Sequence, residues 1–593
     1  MKKEIQERIL SEETRIRNEL KRGFIYGVLV GLLMGFIDTY GYATTGYTTA
    51  EISLVITPIL VRIILGRRSS LRSIVAGSVA AYGISFSTII TSGMLITNAY
   101  TKYVYERFFY GTDFPTWLYS REGCFYGILC SYMPTYVFIG LLSLSGVLLA
   151  YLYRHVFIDK MNLPYPIAVT SFIISGFLNN IRNFRGIYRA ILIGFILQLL
   201  VFIFNEPSID LSSDLNTIIK GSVMALSLNF IILFISMIIP PRTSASIGLS
   251  SILAALLILP LGYSLRLFEL GGGEVGIDNI MYHASWYEAS VIFGSVMTIA
   301  FLYVYKLRDA ITSISRISLK GRDAILFVLM ILGFISLFLA TYLYARQPIT
   351  YEYIIFSLVW VLILLPILIM VTTIAVGEAG IAAQSLYPFN TVYLYVTGFR
   401  GFTPYVFMDH YLGIPMPGSL SGATGNIIKL SRMLRVSVVK LLSIFVISFL
   451  IGLQTTLFYG VILLDYIFRP ETNPTSLIRW LPYVNWSILV YKGQLDLSVL
   501  GGGILVGFLY MLSILLVGLV TPLRVSPIPF IIGFSLTPDY GILFLLGSFI
   551  RLFVSRFGIE AQERISIYAT ALLVGSGLSI PVYTLISAFT GSG

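Results

Sequence analysis

Residues 161–180, MNLPYPIAVTSFIISGFLNN, decide how this chain is threaded. Pro164 and Pro166 stand where an apolar segment ought to begin, and neither has a backbone N–H to give. A soluble protein uses such a pair as a surface turn. Here it runs straight into another apolar stretch, with Arg154 and Lys160 before it and NNIRNFRGIYR after it.

Composition identifies the solvent. The 593 residues are 56% hydrophobic and only 12% charged, with a mean hydropathy of +0.86. Soluble domains carry about 25% charged residues. Half of that cannot coat a water-soluble protein of this size, so the chain reads as a polytopic, all-α integral membrane protein. The net charge of +11 lies between apolar runs, where lysine and arginine set topology and do not point to nucleic acid. Cys124 and Cys130 pair only if their loop faces an oxidising exterior, and otherwise read as isolated buried thiols. Residues 1–21 form a mixed-charge amphipathic cytoplasmic segment without the pattern of a cleaved signal peptide. Residues 22–593 form one transmembrane domain, with repeat halves near 22–320 and 321–593.

Apolar runs close to the ~20 residues that cross a bilayer recur throughout. They lie near 22–44, 49–66, 73–97, 134–153, 187–205, 217–239, 244–263, 286–305, 324–345, 352–376, 437–464, 499–520 and 564–590. Weaker or broken segments lie near 163–180, 381–398, 418–430, 527–537 and 540–556, giving about 13–16 transmembrane helices including half-helices or re-entrant segments. With the N-terminus inside, GRRSSLR, Arg154, Lys160, Arg242 and KLRDAITSISRISLKGRD all fall on the cytoplasmic side, as the positive-inside rule requires. The arrangement works only if 163–180 dips into the membrane and returns, leaving NNIRNFRGIYR inside. The second half has few basic residues between 347 and 428, and its topology stays open.

A charge in the hydrocarbon costs at least about 2.5–3.5 kcal/mol, so such residues mark pathways or partners. Asp38 lies in LLMGFIDTYGYATTGYTT, followed by Tyr40, Thr44 and Thr45; helical spacing places Asp38, Tyr42 and Thr45 on one face. Glu378 lies between glycines in TTIAVGEAGIAAQSLYP, which reads as a broken helix with Gln384 beyond it. Pro240, Pro241 and Arg242 read as a tight cytoplasmic turn. SLSGATGNIIKLSRMLRVS supplies small residues for close packing, then Asn426, Lys429, Arg432 and Arg435. His155, His283 and His410 are too scattered for a metal site, and no phosphate-binding glycine loop occurs, so neither a resident metal nor another cofactor is expected.

Several stretches, in order, resemble the oligopeptide transporter (OPT) family. RGFIYGVLVGLLMGFIDTYGYATTG is similar to its first span. LLSLSGVLLAYLYRHVFIDKMNLPYP resembles its passage into a Leu-Pro-aromatic-Pro motif. MIIPPRTSASIGLSSILAALLILP, GATGNIIKLSRMLRVS and AQERISIYATALLVGSGLSIP resemble its Gly-Pro-Arg passage, its lysine segment and its closing helix. The chain departs from the pattern at Ile167–Thr170, where the family has Ser-Gly-Thr-Ala, at Pro240, which replaces the family's glycine ahead of Pro241 and Arg242, and before Lys429, where the family's Asp-x-x-x-Asp-x-Lys pattern is reduced to Asn426 and Lys429. The resemblance implies a proton-coupled secondary transporter of small peptides, or of metal–chelator complexes, in the cell membrane. Asp38 and Glu378 are then the proton-coupling candidates. Tyr40, Thr44, Thr45, Pro164, Tyr165, Pro166, Gln384, Asn426 and Lys429 are the substrate-path candidates. Homodimerisation is left open.

LLVGLVTPLRVSPIPFII (515–532) echoes the approach to Pro164, and the glycines around Glu378 echo those around Asp38, as an internal repeat would. The rival reading is a lipid-linked sugar or lipid transferase, with Asp113, Glu122 or Glu274 in the outer loops. A channel is disfavoured, because no repeated pore loop is present.

Overall fold

Lipid offers backbone groups no hydrogen-bond partner, so a chain of this composition has to satisfy them within helices. The computed structural model describes residues 2–45, 50–66, 69–108, 143–180, 185–204, 208–270, 276–316, 350–360, 364–380, 393–398, 416–466, 496–520, 527–534 and 536–590, with isolated positions at 111–119, 140 and 488. These residues are overwhelmingly helical. In chain order the helices are α1 (Lys2–Thr45), α2 (Ser53–Leu65), α3 (Leu71–Thr88), α4 (Met94–Phe108), α5 (Ser143–Leu152), α6 (Pro166–Asn180) and α7 (Arg185–Ile203). Then follow α8 (Ser212–Ile218), α9 (Phe230–Ile238), α10 (Pro241–Leu253), α11 (Leu259–Ser264), α12 (Ile277–Arg316), α13 (Tyr351–Val359) and α14 (Leu365–Ala379). The last are α15 (Met416–Met433), α16 (Val438–Tyr466), α17 (Leu497–Val520), α18 (Pro527–Phe534), α19 (Pro538–Ser555) and α20 (Ile559–Thr590).

Among the described residues, 7 helical stretches are long and apolar enough to cross a membrane: Ser11–Ala43, Leu71–Arg107, Arg185–Ile203, Pro241–Ser264, Val438–Asp465, Leu497–Gly518 and Pro538–Ser555. Their outer faces are apolar, as at Leu192 and Ile196 of α7, Leu505 and Leu509 of α17, and Phe549 and Phe553 of α19, all exposed. Such surfaces suit lipid and not water.

Three expectations need correction. The run 217–239 is not a span. Asn216 folds its side chain back onto Ser212, Gly221 and Ser222, and Gly221 turns at φ +83. The chain then forms a two-stranded antiparallel hairpin, β1 (Ser208–Asp210) with β2 (Ala225–Ser227), before Asn229 caps the 9-residue α9. Among the described residues that hairpin is the exception to helical structure. The run 49–66 holds a 13-residue helix, roughly 20 Å long and too short for a bilayer of about 30 Å. Conversely, 540–556, placed among the weaker or broken segments, is a continuous helix of 18 residues. The run 324–345, most of 381–398 and the first part of 134–153 lie outside the described residues, as do Cys124 and Cys130.

Helix pairs meet through glycine. α1 crosses α3 where Gly27 faces Gly77, and α12 crosses α17 where Gly507 lies on the Val291 carbonyl; a Cβ at either glycine would strike backbone. Without a hydrophobic drive between helices in lipid, such close van der Waals contact holds the pairs together. The two short helices at the Pro-x-Pro motifs pack on different partners: α6 on α2 and α15, and α18 on α10.

Candidate functional site

The Pro-Tyr-Pro passage becomes a three-way joint. After α5 a π-helical turn, His155–Lys160, leads to Asn162 and Tyr165, both left-handed at φ +49 and +48. A non-glycine residue there costs about 1–2 kcal/mol. Tertiary contacts hold Tyr165 in place: its N–H donates to the Gly377 carbonyl of α14 at 2.8 Å, and its ring lies fully buried against Gly425 of α15. Its carbonyl accepts from Val169, so Tyr165 opens α6 and Pro166 takes the first helical position, where a missing N–H is harmless.

α14 runs unbroken through Glu378. The break expected at Gly-Glu-x-Gly falls at Gly380, left-handed at φ +86 and packed on Pro166 and Ile167. α1 is likewise uninterrupted from Asp38 to Thr45, so the expected echo between the two glycine-rich stretches is not one of broken helices. A stripe of α15 runs along this joint. Gly418 touches Thr372, Ser421 Oγ is 2.7 Å from Thr373 Oγ1, and Gly422 meets Val376. Further along, Lys429 Nζ lies 3.5 Å from the Leu163 carbonyl, and Arg432 pairs with Asp159 through both guanidinium nitrogens. That bidentate bond, with His155 adding a second, holds the Asp159 carboxyl down at about 2.

The joint also holds polar atoms with no protein partner among the described residues. They are Tyr165 Oη, both amide atoms of Asn426, and the hydroxyls of Ser171, Ser175 and Ser419. All five residues are buried. Buried polar groups are normally paired with protein or an ordered small molecule, and each left alone costs about 1–3 kcal/mol. This concentration on α6 and α15 makes the joint the candidate site for a polar solute.

A second polar cluster surrounds Asp38, which is 1% exposed and accepts a hydrogen bond from Ser85 of α3. One turn on, Tyr42 Oη is 2.8 Å from Thr97 Oγ1 of α4, so Asp38 and Tyr42 do share a face. Between Ser85 and Thr97 the helix carries a π-helical turn, Ile89–Gly93, and Thr456 of α16 joins Ser87 and Thr91. Such turns recur at functional sites. SFSTIITSGMLIT (85–97) carries these hydroxyls within a run whose overall hydropathy is that of a plain span.

Of the candidates, Pro164, Tyr165, Pro166, Glu378, Asn426 and Lys429 belong to the elements of the joint, with Glu378 and Lys429 half-buried. Asp38 belongs to the other cluster, and Tyr40 is buried on the same helix. Gln384 and the side chains of Thr44 and Thr45 lie outside the described residues, as do Asp113, Glu122 and Glu274 of the rival reading.

Sequence reading also missed two arginines. Arg62 of α2 donates to the Leu178 carbonyl near the end of α6, and Arg551 of α19 donates to the Met237, Ile238 and Ile239 carbonyls that close α9. Each places a cation at the negative end of a short helix. Arg242, beside Pro241, is exposed at the start of α10. The chain matches no model of a known protein family and no curated protein.

Proposed function

We propose that this chain is a secondary active transporter that moves small peptides across the cell membrane by alternating access, coupled to protons, in the manner of the oligopeptide transporter family it resembles. The observation that carries the reading is the joint itself. Short helices start and stop here within an apolar bundle, and buried amide and hydroxyl groups on the same elements have no protein partner among the described residues; carriers hold polar cargo at such broken helices. An amide such as Asn426 offers one donor side and one acceptor side, which is what a peptide group needs in return. Asp38, among hydroxyls, and Glu378, at a helix end, are the candidate proton carriers.

The test is uptake into proteoliposomes under an inward proton gradient, comparing di- to pentapeptides with iron–chelate complexes. Peptide accumulation that collapses when the gradient is dissipated is expected. Asp38→Asn or Glu378→Gln should abolish the gradient-driven component and spare exchange of peptide for peptide. Unchanged driven uptake in both variants refutes the coupling assignment, and accumulation of the chelates alone refutes the substrate class.

A further inference from the structure

Glu288 lies in the middle of α12, within the apolar stretch ASWYEASVIFGSVMTIAF, and is 8% exposed. It shares a helical face with Ala284, Ile292 and Val296, exposed by 0%, 1% and 4%. Its neighbours on α12 all find partners. Trp286 Nε1 donates to the Asp496 carbonyl at 3.1 Å, Tyr287 Oη to Ile258 at 3.0 Å, and Ser295 Oγ to Gly507 at 3.1 Å. The Glu288 carboxyl has neither a hydrogen bond nor an ion pair among the described residues.

Among the described residues no lysine or arginine is bonded to it; the segment after α11, whose Phe268 stacks on Tyr287, carries Arg266 and Glu269, both exposed, and the exposed Asp496 precedes α17. α17 brings one titratable group, Tyr510, which is engaged with Ser250, and α18 brings none. α11 brings Tyr263, and the segment 393–398 sets Tyr395 against Trp286 with Tyr393 beside it. On α12 itself the nearby titratable residues are Tyr287 and the exposed His283. Neither lysine nor arginine occurs in α11, α17 or α18. An ionised carboxylate left alone in such surroundings costs several kcal/mol, so the group needs a ligand of its own.

We propose that Glu288 is an intramembrane proton-binding site: the carboxyl on the inward face of α12 holds a proton at rest and exchanges it when water reaches that face. The proposal concerns proton binding and does not depend on the transport reading; the site would serve any protein of this fold that moves protons.

The experiment uses the full chain in lipid vesicles. Infrared difference spectra of wild type and Glu288→Gln are recorded from mildly acidic to mildly alkaline pH, with and without sodium at each pH. The expected result is one protonated-carboxyl band in the wild type, lost in Glu288→Gln, retained in Asp38→Asn and unmoved by sodium. A lipid-soluble carbodiimide, which reacts with protonated carboxyls, should modify the peptide containing Glu288. That adduct should disappear in the variant and diminish as pH rises. Overturning results are a wild-type spectrum with no band that Glu288→Gln removes, or a band that sodium abolishes at fixed pH, since the ligand would then be a metal cation.

Discussion

The two polar clusters of this bundle are built in opposite ways. Around Asp38 the supporting helices are long and uninterrupted except for one π-helical turn. The hydroxyls of Ser85, Ser87, Thr91, Thr97 and Thr456 bond to the carboxylate, to one another or to backbone. Around Tyr165 the helices are short, two residues sit in the left-handed region, and amide and hydroxyl groups have no protein partner. Groups satisfied by their neighbours hold a structure in one arrangement; groups left unpaired cost stability unless something else binds them. On that ground we propose the joint as the place for cargo and the Asp38 cluster as the place for a group whose surroundings must be controlled.

The largest effect should come from filling the space at Gly425, where an added Cβ meets the Tyr165 ring and hydroxyl at 2.5–2.6 Å. Gly425→Val should dislodge the tyrosine and destabilise the protein in detergent by about 1–3 kcal/mol. Restoration by a second change, Tyr165→Ala, would establish the ring as the cause. Wild-type melting of Gly425→Val would show that the joint is not packed as described.

A smaller effect, opposite in sign between the clusters, tests the comparison directly. Ser85→Ala removes a donor from Asp38 and should lower stability by about 1 kcal/mol. Asn426→Leu removes two unpaired polar atoms at nearly constant shape and should leave stability unchanged or raise it by about 1 kcal/mol, while abolishing peptide uptake. Equal losses of stability in both variants would erase the distinction.

The smallest effect lies at the edge of the joint. Asp159 ordinarily titrates near 3.8 and is held at about 2 by Arg432, so the pair stabilises the folded protein above the ordinary value. That contribution should fade as pH falls from about 4 to about 2, and because both side chains are substantially exposed it should stay under about 1 kcal/mol. Melting temperatures of wild type and Arg432→Gln should differ at neutral pH and converge in acid.

How much of this was legible varied with the physics involved. Hydropathy located α7, α16 and α17 well, because a helix in lipid needs only a long apolar run. It failed at 217–239, where Asn216 and Gly221 turn an apolar run into a hairpin. It undersold α19, whose Arg551 looks like a break until its carbonyl partners on α9 come into view. The Pro-Tyr-Pro motif was legible as the start of a short helix, since proline at a first helical position is a local preference. Glu288 was missed, although a lone carboxylate in an apolar helix is visible to anyone counting charges.

What the sequence determined alone is the solvent and the element type: 12% charge and recurrent apolar runs demand helices in lipid. What only the tertiary structure decided is which polar residue is satisfied. Asp38 reaches Ser85, Tyr165 reaches Gly377, and Arg551 reaches Ile239, across separations of 47 to more than 300 positions. Local preference cannot encode such pairings. They exist because buried hydrogen-bonding groups must find partners wherever the packed helices bring them.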